Sequence, residues 1–219
     1  MSVTEGADIF EFWSKIPPTA KVHPADQPIF DRLGKHAFST KALPSCFMGR
    51  LKVAPVVLLF LSPGLGSEDE TRASRKHVQW LEKNRSGLES LVPGTIHQGA
   101  YKWWTERTAR FGTPEELADK VAFLNIGAYR SKIFNDHALL AALPSSRVCL
   151  GWAQSVLFPQ AERGERVVVC LRAARWWGLE TGRKYAGTLF APKVTRGGHM
   201  LKSERDRIVR AVRQAIGPK

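Results

Sequence analysis

Three short segments of the sequence combine polar side chains with residues that turn the chain. Segment 62–64 (Ser-Pro-Gly) follows an apolar run, Asn125 closes a second apolar run, and segment 193–199 is basic and ends in Gly-Gly-His. Hydroxyl, amide and imidazole groups donate and accept hydrogen bonds. These residue types therefore suit a site for a polar ligand, provided that the fold brings the three segments together.

An asparagine inside an apolar strand costs free energy unless its amide is hydrogen-bonded. Asn125 lies in such a run, Phe-Leu-Asn-Ile-Gly at 123–127. Its amide either ties two loops together or binds the edge of a nucleobase, since it offers both a donor and an acceptor. The residues alone favour the first role and leave the second open.

Gly64 and Gly66 follow an apolar run, as glycines do in many dinucleotide and phosphate sites. The third glycine of that pattern is missing because position 69 is Asp69, and no Gly-Lys-Ser/Thr follows, which excludes a P-loop. A carboxylate at Asp69 would also repel phosphate. Two alternatives are left: a tight turn that leads into a helix, and a functional turn that uses no cofactor.

The chain has 219 residues and a net charge of +13, which suits a single domain with a polyanionic partner. Nucleic acid is the first candidate and an anionic membrane surface the second. The longest apolar run, 53–61, is too short to span a bilayer, and no signal peptide is evident, so we expect a cytoplasmic protein. Three widely spaced cysteines, with no Cys-x-x-Cys pair and no Cys/His cluster, argue against a structural zinc or an iron–sulfur cluster.

The segment around His199 carries groups that suit an anionic ligand. His199 follows two glycines, where its imidazole can donate a hydrogen bond to a developing anion. Hydroxyl, guanidinium and glycine amide groups nearby suit phosphate contacts, although a solvated helix face also explains the charge that follows. The predicted DNA-binding residues, which include the turn after Asn125, are Arg130, Ser131, Lys193, Thr195, Arg196, Gly197 and Gly198.

Aromatic residues alternate with basic ones in two places, 101–107 and 172–177. Bases stack on aromatic rings, and each stack contributes about 1–3 kcal/mol to binding. Paired tryptophans are more often core residues, so we expect at least one of Trp103 and Trp104, and one of Trp176 and Trp177, to be buried.

Apolar runs alternate with helical patterns along most of the chain. Such alternation predicts an α/β sheet covered on both faces, with ligands beyond the carboxyl ends of the strands. The turns 62–66, 125–131 and 193–199 would then share one edge. Strands are predicted at 53–61, 121–128, 166–171 and 185–192, helices at 68–84, 101–111, 145–160, 173–178 and 203–216, and an irregular, partly helical extension at 1–50.

The residues that follow the predicted strands resemble motifs of the uracil-DNA glycosylase superfamily. Segment 61–64 (Leu-Ser-Pro-Gly) resembles the first motif, segment 123–125 (Phe-Leu-Asn) resembles the one with the uracil-reading asparagine, and loop 195–199 lies where the second motif is expected. Segments 63–69 and 101–104 resemble a divergent bacterial branch. Ser62 stands where an Asp or Asn usually holds the attacking water, and Arg-Gly-Gly-His replaces His-Pro-Ser.

The resemblance implies a three-layer αβα fold with a four-stranded parallel sheet in the order 2-1-3-4. It implies a monomeric, monofunctional enzyme that needs no cofactor and hydrolyses the N-glycosidic bond of deoxyuridine in DNA after flipping the base. His199 would stabilise charge on the uracil oxygen, and Ser62 would position water. The implied substrate-binding residues are Leu61, Pro63, Gly64, Asn125, Tyr101 and Trp104.

Two other functions are compatible with the sequence. A non-catalytic nucleic-acid-binding protein on the same fold would carry the same basic charge and would explain Ser62 at the water position. An unrelated α/β hydrolase or nucleotide-binding domain is disfavoured, because the chain has no Gly-x-Ser-x-Gly elbow and no complete phosphate-binding loop.

The net charge generates a first prediction, that DNA binding weakens steeply with salt. Neutralising about five phosphates gives a slope of about −4 to −5 in a plot of log affinity against log salt concentration. Fluorescence anisotropy of a labelled oligonucleotide over a salt series measures this slope. An affinity that does not change with salt would contradict the predicted electrostatic contact.

Overall fold

The computed structural model of the protein describes residues 8–66, 69–70, 73–195 and 198–217. They form a five-stranded, mostly parallel sheet flanked by helices. The strands are β1 (Phe47–Met48), β2 (Val56–Phe60), β3 (Val121–Asn125), β4 (Val167–Cys170) and β5 (Leu189–Phe190). Runs of branched apolar residues form β2, β3 and β4, and every residue in these three strands is buried, as expected for parallel strands covered on both faces.

The strand order in the sheet is β1-β3-β2-β4-β5. The last four strands run parallel, and β1 pairs antiparallel with β3 through Phe47 opposite Leu124 and Met48 opposite Phe123. The predicted four-stranded sheet in the order 2-1-3-4 is therefore matched only in part. It lacks β1, which lies inside the segment that the sequence predicts to be irregular or helical, because a two-residue strand is too short to produce a recognisable pattern.

Helices cover both faces of the sheet, as the predicted three-layer arrangement requires. The helices are α1 (Ile9–Ser14), α2 (Gln27–Phe30), α3 (Arg75–Asn84), α4 (Gln98–Thr108), α5 (Pro114–Leu117), α6 (His137–Ala142), α7 (Pro144–Trp152), α8 (Phe158–Glu162) and α9 (Lys202–Ile216). Side chains on one face of the sheet, including Val57 and Leu59, share a core with α1, α7 and α8. Side chains on the other face, including Leu58, share a core with α3, α4, α5 and α9.

Several predicted helix boundaries differ from the observed ones for local reasons. α3 begins at Arg75, not at 68, because the Ser74 hydroxyl accepts the His77 amide and caps the helix there, while 69–70 form a turn. The predicted helix 145–160 is interrupted by a π-helical turn at Ala153–Leu157. Pro159 follows this turn and lacks the amide hydrogen that a regular helix needs. The predicted short helix 173–178 is a 3₁₀ turn at Ala174–Trp177.

No helix within the described ranges is both long enough and apolar enough to cross a membrane. The apolar runs of the sequence are instead used as β-strands and as helix faces in the two cores.

A buried polar network connects the N-terminal segment to the end of β3. The Asp26 carboxylate, which is completely buried, accepts hydrogen bonds from the Tyr129 hydroxyl (2.6 Å) and from the Ser145 amide (3.0 Å). The same hydroxyl accepts the His23 amide at 3.1 Å. Burial and the nearby Asp26 charge raise the pKa of Tyr129, so the phenol stays protonated and donates. Residues 23–26 are thereby fixed against the sheet.

This network generates the second prediction, that Tyr129→Phe lowers the free energy of unfolding by about 3 kcal/mol. The substitution removes one donor from a buried carboxylate, and an unsatisfied buried charge costs more than an unsatisfied neutral group. Urea unfolding followed by tryptophan fluorescence measures the change.

Tyr101→Phe is the matched control, because the Tyr101 hydroxyl makes no hydrogen bond with the described part of the chain and its ring is half-buried. We expect it to change stability by less than about 0.5 kcal/mol. Equal effects of the two substitutions would mean that the Tyr129 hydroxyl does not stabilise the fold.

Candidate functional site

The loops that follow β2 and β3 are hydrogen-bonded to each other at the carboxyl edge of the sheet. Gly64 and Ser131 form a parallel bridge, in which the Leu65 amide donates to Ser131 O (3.2 Å) and the Ser131 amide donates to Pro63 O (3.3 Å). The Arg130 guanidinium also donates to Gly64 O at 2.9 Å. Two of the three turns that the sequence places at this edge therefore lie side by side.

A cavity of about 320 Å³ opens beside these two loops. Its wall has an aromatic part, a polar part, and backbone from the loops. Of the residues predicted to bind substrate, Pro63, Gly64 and Asn125 line it. The other lining residues used below are Phe47, Asp69, His77, His97, Trp103, Phe123 and Arg130.

Asn125 is the last residue of β3 and is about 9% exposed. Its backbone amide donates to Cys46 O at 2.7 Å, while its side-chain Nδ2 lies 3.5 Å from the same carbonyl, at the limit of hydrogen bonding. The contact with Cys46 orients the amide but engages only Nδ2. The side chain therefore has a partly structural role, because it contacts the segment around Cys46. It also lines the cavity and keeps hydrogen-bonding groups for a ligand.

The aromatic part of the wall is built from strand and helix residues. Phe47 comes from β1 and Phe123 from β3, and the Trp103 ring of α4 packs on Phe123 at 5.0 Å and on Phe60 at 5.1 Å between centroids. Flat apolar rings of this kind suit a flat heteroaromatic ligand.

The two paired-tryptophan expectations are confirmed. Trp104 is buried and donates its indole N–H to Val92 O at 2.9 Å, so Trp103 lines the cavity in its place. Tyr101 packs on the edge of Trp104 at 5.2 Å and does not line the cavity. Trp177 is likewise buried and donates to Phe60 O.

The polar part of the wall is organised around the carboxylate of Asp69, whose side chain is 5% exposed. It accepts hydrogen bonds from the Gly66 amide (2.6 Å) and from His97 Nε2 (3.1 Å), and Arg130 Nε lies 3.2 Å away. Burial by itself would raise the pKa of Asp69, but the His97 hydrogen bond, the Arg130 charge and the Gly66 amide lower it below its ordinary value. The carboxylate is therefore ionised, and each of its oxygens has at least one partner within the fold.

His97 is fixed by hydrogen bonds at both ring nitrogens. It is the N-cap of α4, and its Nδ1 accepts the Ala100 amide at 3.2 Å. Because Nδ1 accepts, the proton of the neutral ring is on Nε2, which donates to Asp69. His97 thus orients Asp69.

His77, on the first turn of α3, packs its ring edge-on against His97, with 4.7 Å between centroids. Burial, together with His97 and the positive charge of Arg130, lowers the pKa of His77 from 6.5 to about 4. The ring is therefore neutral near pH 7 and offers one donor and one acceptor.

Ser62 and His199, the predicted catalytic residues, do not line this cavity. Ser62 is half-buried, and Leu61 beside it accepts the Gly127 amide through its carbonyl at 2.8 Å. His199 is exposed, with its Nε2 3.5 Å from Arg107 Nη1. The structure therefore places His199 beside α4 and not at the cavity wall.

The loop that carries His199 is a short turn closed by an antiparallel bridge between Val194 and Met200. The Thr195 amide donates to His199 O at 2.9 Å, and Gly198, at φ +80°, has the left-handed backbone that glycine tolerates. Lys193 and Thr195 are exposed. Arg196 and Gly197 lie outside the described residues.

Two other predicted DNA-binding residues have structural contacts. Ser131 is buried in the bridge to Gly64, and Arg130 contacts both Asp69 and Gly64 O. No sequence pattern predicts His77 or His97 at this site, and Asp69 is indicated there only as a group that repels phosphate. The spacing of three residues between Gly66 and Asp69 is typical of a tight turn, and it is the one local pattern that indicates the hydrogen bond between them.

Within the described ranges, no group of three His, Cys, Asp or Glu side chains is arranged to hold a metal ion. Comparisons with family models, with curated proteins and with solved structures found no match to this chain.

The environment of His77 generates the third prediction, that its ring titrates near pH 4 in the folded protein. Because this pKa is below the value of 6.5 in the unfolded chain, the folded state binds fewer protons between the two values. The stability that His77 contributes is complete above pH 6.5 and is lost as the pH falls toward 4.

NMR titration of the His77 ring measures the pKa directly. Thermal unfolding from pH 7 to 4 should show a smaller loss of stability in His77→Gln than in the natural protein. His23, whose pKa burial also lowers, contributes equally in both proteins. A His77 titration near pH 6.5 would contradict the prediction.

Proposed function

We propose that the protein is a uracil-DNA glycosylase that hydrolyses the N-glycosidic bond of deoxyuridine after flipping the base into the cavity. The observation that carries this proposal is the amide of Asn125 on the wall of a small cavity at the carboxyl edge of the sheet. Support comes also from the aromatic wall, the net charge of +13 and the resemblance of segments 61–64 and 123–125.

The size of the cavity favours a single base. Sites for small molecules have volumes of about 300–1,000 Å³, and this cavity of about 320 Å³ is at the lower end of that range. A dinucleotide cofactor would not be enclosed by it. A pyrimidine flipped out of the DNA stack could lie against Phe47 and Trp103, whose rings give stacking or edge contacts.

The orientation of the Asn125 amide favours uracil over cytosine. With Nδ2 turned toward Cys46 O, the Oδ1 atom can accept the N3–H of uracil, and Nδ2 can donate its second hydrogen to the O4 atom. Cytosine presents an unprotonated N3 at the same place, which repels Oδ1. Flipping the amide to suit cytosine would bring Oδ1 against Cys46 O, so the carbonyl of Cys46 supports the discrimination.

The transition state for glycosidic cleavage has a cationic sugar and a uracil that becomes anionic. An N–H donor at the uracil oxygen stabilises the developing negative charge, and Asn125 Nδ2 supplies such a donor. The DNA phosphates around the sugar favour its positive charge. These two effects act without a strong general base.

A non-catalytic nucleic-acid-binding protein is the second candidate. It is favoured by the position of Ser62 outside the cavity and by His199, which is exposed and next to Arg107. In that case the cavity would bind an unpaired base without breaking its bond to the sugar.

The fourth prediction tests the proposal with a uracil-containing oligonucleotide and alkaline cleavage of the abasic product under single-turnover conditions. We expect the natural protein to release uracil. Asn125→Asp should slow release by about 5- to 150-fold, corresponding to about 1–3 kcal/mol, because the carboxylate lacks the amide donor and repels anionic uracil.

The matched control is Asn135→Asp, which makes the same chemical change at an exposed position of the loop after β3. We expect it to leave the rate within about 2-fold of the natural value, since surface substitutions rarely perturb a site. Thermal unfolding checks that both variants fold. DNA binding without any uracil release would favour the non-catalytic candidate, and a normal rate in Asn125→Asp would leave that residue a structural role only.

A further inference from the structure

Three ionisable side chains that can accept a proton line the cavity: Asp69, His77 and His97. Hydrolysis of a glycosidic bond needs one such group near the sugar, and Ser62, the residue predicted for this purpose, is not on the wall. The hydrogen bonds of the three candidates distinguish between them.

Asp69 and His97 are already engaged. One carboxylate oxygen of Asp69 accepts the Gly66 amide, and the other contacts both His97 and Arg130. His97 uses Nδ1 for the Ala100 amide and Nε2 for Asp69. His97 would have to break a contact within the fold before it could bind water, and Asp69 has acceptor capacity left only on Oδ2, beside the Gly66 amide.

His77 has a different set of contacts. Its ring meets His97 edge-on and lies 6.5 Å from the Trp80 ring, but its nitrogens make no hydrogen bond with any described residue. Its backbone amide donates to the Ser74 hydroxyl at 3.1 Å, so the helix cap fixes the point from which the side chain extends. A ring that is held on one edge and lines the cavity is suited to position a small ligand.

We propose that His77 holds the attacking water in the hydrolysis of the glycosidic bond. This inference rests on the proposed function of the same cavity. The water donates a hydrogen bond to the unprotonated nitrogen of His77, and its oxygen forms a bond to C1′ of the sugar. The bond from C1′ to N1 of uracil breaks with its electron pair on the base, and the water proton finally resides on the released uracil.

The charges around His77 keep the ring in the form that this role requires. Arg130, from the loop after β3, and Lys21, from the N-terminal segment, oppose its protonation together with His97, whereas Asp69 favours it. Burial, His97, Arg130 and Lys21 together outweigh Asp69 and lower the pKa of His77 to about 4. The ring therefore accepts a hydrogen bond at neutral pH. An imidazolium would repel the cationic sugar and could not accept from water.

The test compares His77→Phe and His77→Gln with the natural protein on a uracil oligonucleotide. Loss of a group that assists proton transfer typically slows a reaction by about 100- to 10,000-fold, and we expect about 100-fold for His77→Phe because a neutral imidazole of low pKa orients water more than it removes a proton. His77→Gln keeps hydrogen-bonding groups and should slow release by about 10-fold.

A binding measurement separates this role from a structural one. Anisotropy with an oligonucleotide that carries 2′-fluoro-deoxyuridine, which resists cleavage, should give affinities within about 2-fold of the natural value for both variants, since His77 acts on water and not on the base. The control His36→Gln changes a histidine that does not line the cavity, and it should release uracil at the natural rate.

The possible outcomes test the proposed function and the role of His77 separately. A natural protein that releases no uracil would overturn the proposed function and this inference with it. Uracil release by the natural protein combined with an unchanged rate in folded His77→Gln would overturn only the inference. Weaker binding with an unchanged rate of release from bound substrate would assign His77 to base recognition, which also contradicts the proposal.

Discussion

The buried carboxylate of Asp69 joins three separate parts of the chain at the mouth of the cavity. It accepts the Gly66 amide from the loop after β2, His97 at the start of α4, and Arg130 from the loop after β3. An ionised carboxylate with so little exposure is stable only while these partners stay in place. The carboxylate therefore helps to position His97 and Arg130, and it affects His77 indirectly, because the His77 ring packs against His97.

The aromatic part of the wall depends on the short antiparallel strand β1. Its pairing with β3 places Phe47 beside the cavity and directs Cys46 O toward both the backbone amide and the side-chain amide of Asn125. A ligand in the cavity would meet apolar rings, one oriented amide and one neutral imidazole. These are the requirements for recognising a flat ring with polar edges and for placing a water beside it.

The sequence predicts much of the framework and little of the polar wall. The runs that form β2, β3 and β4 are apolar at successive positions, so a local pattern is enough to recognise them. His77 and His97 meet Asp69 only through tertiary packing, which no local pattern encodes. Asn125 was identifiable because an amide in an apolar strand stands out. Ser62 and His199 have polar side chains that could take part in chemistry, but they lie outside the cavity.

We propose that the cavity binds uracil through the oriented amide of Asn125. NMR of the side-chain amide during addition of free uracil, and separately of cytosine, tests this proposal. We predict that uracil shifts the Asn125 Nδ2 resonances and the His77 ring resonances, and that cytosine at the same concentration leaves both unchanged. Equal shifts with the two bases, or no shift with uracil at millimolar concentration, would contradict the recognition of uracil by Asn125.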